Sequence, residues 1–181
     1  MRLVDYPQLW ADDSAYVSPE AHYYGKGVVK IGKNSRIDHG VILTGDVDIG
    51  KHVHIAVYTT ISGTYAVRIG NYTGISAYCN ILTASDDFSG LSMFGPTVPE
   101  AYKPGLKSGM VVIGRNVIIG THCTVGPAIT ICDGVSVGTH SYVRDDCEPN
   151  SLYAGVPATK RKDKSMNMWA LNEAFDLEGE V

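Results

Sequence analysis

Several things are missing from this chain. Although 44% of its residues are hydrophobic, no stretch approaches the ~18 continuous apolar residues of a membrane-spanning helix. The opening MRLVDYPQLWADDSAYV carries one Arg but no apolar run behind it, so it is not read as a secretory leader. Charge is sparse and near balance, with 15 Lys and Arg against 19 Asp and Glu and a net charge of -4. That gives no support for a basic nucleic-acid surface or a polybasic membrane patch. The four cysteines, Cys79, Cys123, Cys132 and Cys147, show no CxxC pairing and no zinc spacing, and a reduced, cytoplasmic protein is expected. Aromatics make up only 9%. Glycine, by contrast, is plentiful at 20 residues, which in an ordered chain points to a repeat with many tight corners.

The repeat is six residues long. Aliphatic residues stand at Ile31, Ile37, Leu43, Ile49, Ile55 and Ile61, resume after two extra residues at Ile69, Ile75 and Ile81, and return at Ile113, Ile119, Val125, Ile131, Val137 and Val143. This period fits neither an amphipathic helix nor an alternating strand. Four places after each aliphatic the residue is usually small or β-branched, as at Ser35, Val41, Val53, Thr59, Cys79, Val117, Cys123 and Val135. Gly often follows the aliphatic, as at Gly32, Gly50, Gly70, Gly120 and Gly138. Each hexapeptide reads as a short strand and a corner, and three close one triangular coil. Coils stack at the ~4.8 Å strand spacing with the aliphatic and small positions inward. Cys79, Cys123 and Cys147 occupy the small inward position and read as core filler.

The pattern divides a single domain. Residues 29–81 and 113–148 are the β-helix coils, and 1–28 are expected to form an N-terminal cap. Residues 82–112 break the period with glycines and prolines and read as one long extruded loop. Loops of this length inside a compact domain are commonly functional. Residues 160–181 are expected to form a C-terminal tail helix, since Met168, Leu171 and Phe175 recur at helical spacing.

On these residues the chain resembles the hexapeptide-repeat acetyltransferases, which include galactoside, maltose and chloramphenicol acetyltransferases. The resemblance covers residues 30–162 and implies an all-β, left-handed parallel β-helix. It also implies an acetyl-CoA co-substrate without a metal, and a homotrimer with active sites between subunits. In such enzymes the loop opens on T-A-x-H-P. This chain reads Thr83-Ala84-Ser85-Asp86-Asp87, so Asp86 stands in place of the His, and the loop contains no His. The family's CoA-lining stretch maps to Gly120 and Thr121, whose backbone N–H faces the thioester, and one coil later to Gly138 and Thr139. Its terminal motif maps to Gly155-Val156-Pro157-Ala158, with Ala158, Lys160, Arg161 and Lys162 set to meet the phosphates of CoA. In several sugar N-acetyltransferases an active-site His precedes an aliphatic at an outward corner, which here is His54-Ile55-Ala56.

The stretches HIAVYTTISG, ISAYCNILTASDDFSG and GPTVPEAYK look most like viosamine-type N-acetyltransferases of nucleotide-linked 4-amino-4,6-dideoxy sugars. That likeness implies a part in surface-glycan biosynthesis such as O-antigen or capsule. A carboxylate can hold an incoming ammonium and take its proton, and His54 is equally suited near neutral pH. His54 and Asp86 are therefore level as candidate proton acceptors, with Asp87, Ser89, Tyr102 and Lys103 as candidate substrate contacts. Tyr58, Tyr65, Tyr72, Tyr78 and Phe88 could stack on a nucleotide or merely cover apolar surface. His122 and His140 lie 18 residues apart and should stack, as an interface ladder or as a metal pair. A sugar O-acetyltransferase is the main alternative. A non-catalytic β-helix scaffold is another, and a γ-type carbonic anhydrase is disfavoured because no His-x4-His pair exists.

Overall fold

In the computed structural model, which describes residues 8–178, the chain winds into a left-handed parallel β-helix of about seven turns. The first face runs through Gln8–Ala11, Val28–Ile31, the second halves of Ile42–Ile49 and Thr60–Ile69, Val111–Ile113 and Thr130–Ile131. The second runs through Tyr16–Val17, Arg36–Ile37, His54–Ile55, Gly74–Ile75, Ile118–Ile119, Ser136–Val137 and Ser151–Gly155. The third holds His22–Tyr24, the first halves of the two long strands, Asn80–Leu82, Thr124–Val125 and Tyr142–Val143. Every coil-to-coil pairing among these strands is parallel and sets repeat position against repeat position, as Ile37 to Ile55, Ile55 to Ile75 and Ile75 to Ile119.

The repeat explains the core. All fifteen aliphatic positions are at most 3% exposed, and the small positions Ser35, Thr59, Thr73, Cys79, Cys123, Ser141 and Cys147 are buried with them. The buried hydroxyls are satisfied within the wall: Ser35 Oγ donates to Gly50 O at 2.8 Å and Thr73 Oγ1 to Gly114 O at 2.8 Å.

Two edges turn through residues in the left-handed region. Asn34, His52, Tyr72, Asn116 and Asn150 do so between the first and second faces, and Tyr58, Tyr78, His122 and His140 between the second and third, with φ between 52° and 61°. Such a conformation costs a residue with a Cβ ~1–2 kcal/mol. On the second edge the side chains form a ladder, edge-on between His39 and Tyr58 and stacked from Tyr58 to His140. Ring centroids lie 5.2 Å apart for His39–Tyr58, 5.3 Å for Tyr58–Tyr78, 5.0 Å for Tyr78–His122 and 4.9 Å for His122–His140. Each contact contributes ~0.5–1.5 kcal/mol, enough to offset much of that strain. His122 and His140 therefore form part of a stacking ladder. Among the described residues no group of three or more His, Cys, Asp or Glu side chains is arranged to hold a metal ion.

Three boundaries differ from expectation. Residues 8–24 of the expected cap are a full first coil, paired in register with the second; the pattern looks ragged there because the outer coil leaves Leu9, Trp10 and Tyr16 exposed. Of the rest of that cap, residues 25–28 lead into the second coil at Val28 and residues 1–7 lie outside the described residues, as does the tail beyond residue 178. Residues 160–163 are not helical. Ala158–Asp163 folds back antiparallel on Ser151–Gly155, supplying a partner for a strand edge that would otherwise be open.

The helix α1 is shorter, Asn167–Leu177, and does not rest on the last coil alone. It descends the edge between the first and second faces. Trp169 Nε1 donates to Asn150 Oδ1 at 2.6 Å, Asn116 Nδ2 donates to Asn172 Oδ1 at 2.8 Å, and Phe175 meets the His52 ring at 5.3 Å. Lys51 Nζ lies 2.9 Å from Asp176 Oδ1. The left-handed corners push these side chains outward, which gives α1 its row of partners.

Neighbouring residues should respond oppositely to truncation. Ile119→Ala removes a fully buried side chain and is expected to cost ~2–5 kcal/mol. Ile118→Ala, at a position 53% exposed, should stay within ~1 kcal/mol. Urea unfolding of the two variants checks this.

Candidate active site

The extruded loop leaves the third face after Leu82 and returns to the first at Val111. A two-stranded antiparallel ribbon closes its base, pairing Ala84 with Ser108 and Ser85 with Lys107. The hydroxyl of Thr83 anchors it, donating to Ser62 O at 2.6 Å. Asp86 is the first residue beyond this ribbon. It lines a cleft of about 300 Å³ with Thr64, Tyr65, Ala84, Ser85, Gly95, Pro96, Lys103 and Leu106. Tyr65 is there because of the two extra residues in the repeat. Gly45 pairs with Gly63 and Val47 with Val67, so Thr64–Ala66 bulge outward one coil below the loop. That irregularity was visible in the sequence, but its role as a wall of the cleft was not.

Asp86 and Lys103 come together in this cleft. Gly95 N–H donates to Asp86 Oδ2 at 3.1 Å, and Lys103 Nζ donates to Gly95 O at 3.1 Å. Asp87 and Ser89 do not join them. Asp87 accepts from Ser89 N–H at 2.9 Å, Ser89 Oγ at 2.9 Å and Leu91 N–H at 3.0 Å. These bonds, the backbone one from Ser89 foremost, hold its carboxyl below the usual carboxylate range. The pair braces the loop. Tyr102 is exposed on a short 3₁₀ turn and is not among the residues lining the cleft. Asp86 and Asp87 also bound a neighbouring hollow of about 410 Å³, lined by Phe88, Gly90, Ser92 and Phe94.

His54 lies elsewhere. It projects from the second face, between Arg36 below and Gly74 above. That face is opposite the edge that carries the loop, so within one chain the prism separates His54 from Asp86. The partner of His54 is Asp38, which the sequence did not single out. His54 Nε2 is 2.8 Å from Asp38 Oδ2, and Arg36 Nε donates to Asp38 Oδ1 at 2.6 Å. The Asp38 side chain is 12% exposed against 51% for His54. Burial opposes ionisation of Asp38, yet the bonds from His54 and Arg36 outweigh it and hold the carboxyl below its usual range. The signal available was the spacing Arg36-x-Asp38 one coil below His54.

The expected cofactor residues follow a third line. Gly120, Gly138 and Ala154 stack along the far edge of the second face, each N–H of the first two donating to the next coil at 2.8 Å. A Cβ on Gly120 would meet Thr139 N at 2.7 Å, and one on Gly138 would meet Ala154 Cβ at 3.0 Å, so coil packing itself demands glycine at the first and favours it at the second. Gly120 and His122 both donate into ladders. Thr121 between them has no acceptor for its N–H among the described residues, while its hydroxyl bonds Ala77 O at 2.7 Å. Thr139 follows Gly138 as an exposed corner residue.

The basic cluster is less open than its sequence suggests. Lys160 Nζ sits 2.8 Å from both Asp163 and Glu148 carboxylates, which raise its pKa. Arg161 donates to Ala154 O at 3.1 and 2.8 Å. Ala158 pairs with Gly155 in the terminal hairpin. Lys162 lines a groove of about 580 Å³ between the hairpin and α1, beside Lys164, Leu152, Met168 and Leu171.

No family model matches this chain. It is 34% identical over 166 residues to dTDP-4-amino-4,6-dideoxy-D-glucose acyltransferase of Escherichia coli, covering 90% of this chain and 86% of that protein. It is 33% identical over 131 residues to galactoside O-acetyltransferase of Escherichia coli strain K12, covering 70% of this chain and 60% of that protein. Among solved structures it matches a variant of AntD, an N-acyltransferase from Bacillus cereus, in complex with dTDP-4-amino-4,6-dideoxyglucose and coenzyme A. The TM-score is 0.88 at 34% identity, covering 94% of this chain and 91% of that one. AntD in complex with dTDP and 3-hydroxybutyryl-CoA matches with a TM-score of 0.82 at 34% identity, covering 94% and 87%. With that coverage, and with the six-residue core, the extruded loop and the terminal hairpin in place, the chain belongs to the hexapeptide-repeat acyltransferase family.

Proposed function

We propose that this chain transfers an acetyl group, or a somewhat longer acyl group, from its CoA thioester to the amine of a nucleotide-linked 4-amino-4,6-dideoxyhexose. One observation carries the reading: the half-buried carboxylate of Asp86 faces a cleft of sugar size, to which its own chain, among the described residues, contributes no imidazole. A carboxylate suits an amine, which arrives partly protonated, is held by charge and must lose a proton before attack. Tyr65, Pro96 and Leu106 give the cleft apolar walls that suit the ring face and methyl group of a 6-deoxy sugar.

The chemistry is a simple displacement. The amine nitrogen attacks the thioester carbonyl and forms the C–N bond. The resulting oxyanion accepts from the Thr121 N–H, a backbone donor that works with any side chain. Collapse breaks the C–S bond, and CoA leaves as its thiol once the proton shed by the amine reaches the sulfur. Asp86 relays that proton, and when the acceptor arrives as its ammonium the additional proton passes through Asp86 to solvent before attack. Gly138 and Thr139 flank the pantetheine arm, Ala158 shapes the turn beside it, and Lys162 with Arg161 and Lys160 offers positive charge to the CoA phosphates.

Asp86 and Thr121 stand on different edges of the prism, so this reading sets the loop of one copy against the second-face edge of another. A homotrimer closes such an arrangement with three equivalent sites. Both substrates are cytoplasmic metabolites, and the product class feeds surface glycans such as O-antigen or capsule. A second reading is O-acylation of a sugar hydroxyl, favoured by the His54–Asp38 pair. There Asp38 fixes the imidazole through Nε2 and leaves Nδ1 to take the hydroxyl proton.

Thiol-reagent detection of CoA release separates the two. With acetyl-CoA or 3-hydroxybutyryl-CoA, release is expected with the 4-amino sugar nucleotide and not with its 4-hydroxy counterpart. Asp86→Ala should lower kcat by ~10²–10⁴; release with the hydroxyl sugar, abolished by His54→Ala, selects the second reading instead. Light scattering in solution should return a trimer mass, and a monomer that is fully active would refute the shared site. Asp38→Asn should destabilise the fold at neutral pH. Because the folded-state pKa of Asp38 is depressed, its contribution is fully present above the unfolded value of ~3.9 and disappears as pH falls through the folded value. The stability gap between wild type and Asp38→Asn should therefore begin to shrink below about pH 4 and close only once pH falls past the depressed folded-state value.

A further inference from the structure

Gly95 hydrogen-bonds both charged side chains of the cleft. Its N–H donates to Asp86 Oδ2 and its carbonyl accepts from Lys103 Nζ, each at 3.1 Å. Asp86 and Lys103 thus each bond Gly95 rather than one another, although they line the same cleft with opposite charge. Asp86 keeps Oδ1 without a donor among the described residues, and the half-buried ammonium of Lys103 keeps two of its three hydrogens. Gly95 holds φ at +88°, where side chains are rarely tolerated, yet a Cβ built on it would meet nothing within 4 Å. Crowding does not explain the glycine; the backbone conformation does. Pro96 follows, which narrows the chain's path away from Gly95.

We propose that Gly95 is a positioning residue that fixes Asp86 and Lys103 as a two-point receptor, in which Asp86 takes the acceptor's amine and Lys103 takes an anionic substituent carried by the same sugar. This inference rests on the amino-sugar reading above and deepens it by assigning the anion. The anion is the phosphate attached to the sugar. Lysine binds phosphate as a point charge, and a cleft of about 300 Å³ lies at the small end of ligand pockets, which are ~300–1,000 Å³. It accommodates a hexose and its first phosphate, leaving the nucleoside outside. An unlinked amino sugar uses only the Asp86 half of the receptor.

The test compares two acceptors, the nucleotide-linked 4-amino sugar and the same sugar as its uncharged methyl glycoside. It follows CoA release and, separately, calorimetric binding of each acceptor without acyl-CoA. Lys103→Met should lower kcat/KM for the linked acceptor ~10- to 100-fold, the range of a charged hydrogen bond, through KM, and lower it several-fold less for the methyl glycoside. Gly95→Ala should lower kcat/KM for both acceptors by a similar factor while CoA affinity and the thermal midpoint hold. Gly95→Asn should restore activity close to wild type, since Asn adopts positive φ and keeps both backbone groups.

Equal losses on both acceptors in Lys103→Met would overturn the anion assignment and leave Lys103 as a loop brace. Wild-type behaviour of Gly95→Ala, or an Asn variant as poor as Ala with an intact midpoint, would overturn the positioning role. If wild type binds the linked acceptor but releases no CoA, the amino-sugar transfer reading fails while the receptor stands. If wild type binds neither acceptor, the receptor itself is refuted.

Discussion

The molecule depends on one constraint, the parallel backbone ladder that ties each coil to the next. A strand in this fold is only two or three residues long on most faces, too short to hold any register alone. Register comes from stacking like positions in column, with N–H groups such as Ile118 and Gly120 donating to carbonyls one coil away at 3.0 and 2.8 Å. The inward aliphatics enforce it, because a slip of one residue would turn the whole column outward. Loss of a buried aliphatic is therefore felt by the coils on both sides.

That rigidity makes the irregular segments informative. A two-residue insertion cannot be absorbed inside a column, so it is expelled at the corner, and Thr64–Ala66 bulges there. The long loop leaves at the same edge one coil later and is pinned by Thr83 and a short ribbon. Together they make a cleft on an otherwise flat prism. Asp86 owes its place to the end of the ribbon, and its orientation to Gly95.

The edges carry a second kind of order. Left-handed corners project side chains outward in line, and the chain exploits the alignment twice. Between the second and third faces the projecting rings stack on each other. Between the first and second they receive α1, whose Trp169, Asn172, Phe175 and Asp176 reach successive coils. The helix has no buried residue of its own, and its path is dictated by those corners rather than by its weak amphipathic pattern.

The sequence by itself determined the fold. A six-residue period, with aliphatics at Ile31 through Val143 and small residues four places on, reads as a three-sided coil whose left hand the family resemblance implied, and it placed Cys79, Cys123 and Cys147 inside and the loop outside. Attention to Asp86 came from the family resemblance, since it stands where the relatives' loop His would be and this loop lacks His. Tertiary structure decided what touches what. It separated His54 from Asp86 across the prism, paired His54 with Asp38, turned Asp87 and Ser89 into a brace, and spent Lys160 on Glu148 and Asp163. None of this is periodic. A repeat tells each residue whether it faces in or out, whereas contacts at corners, loops and the terminal hairpin join residues from different coils, and only the folded chain sets those distances.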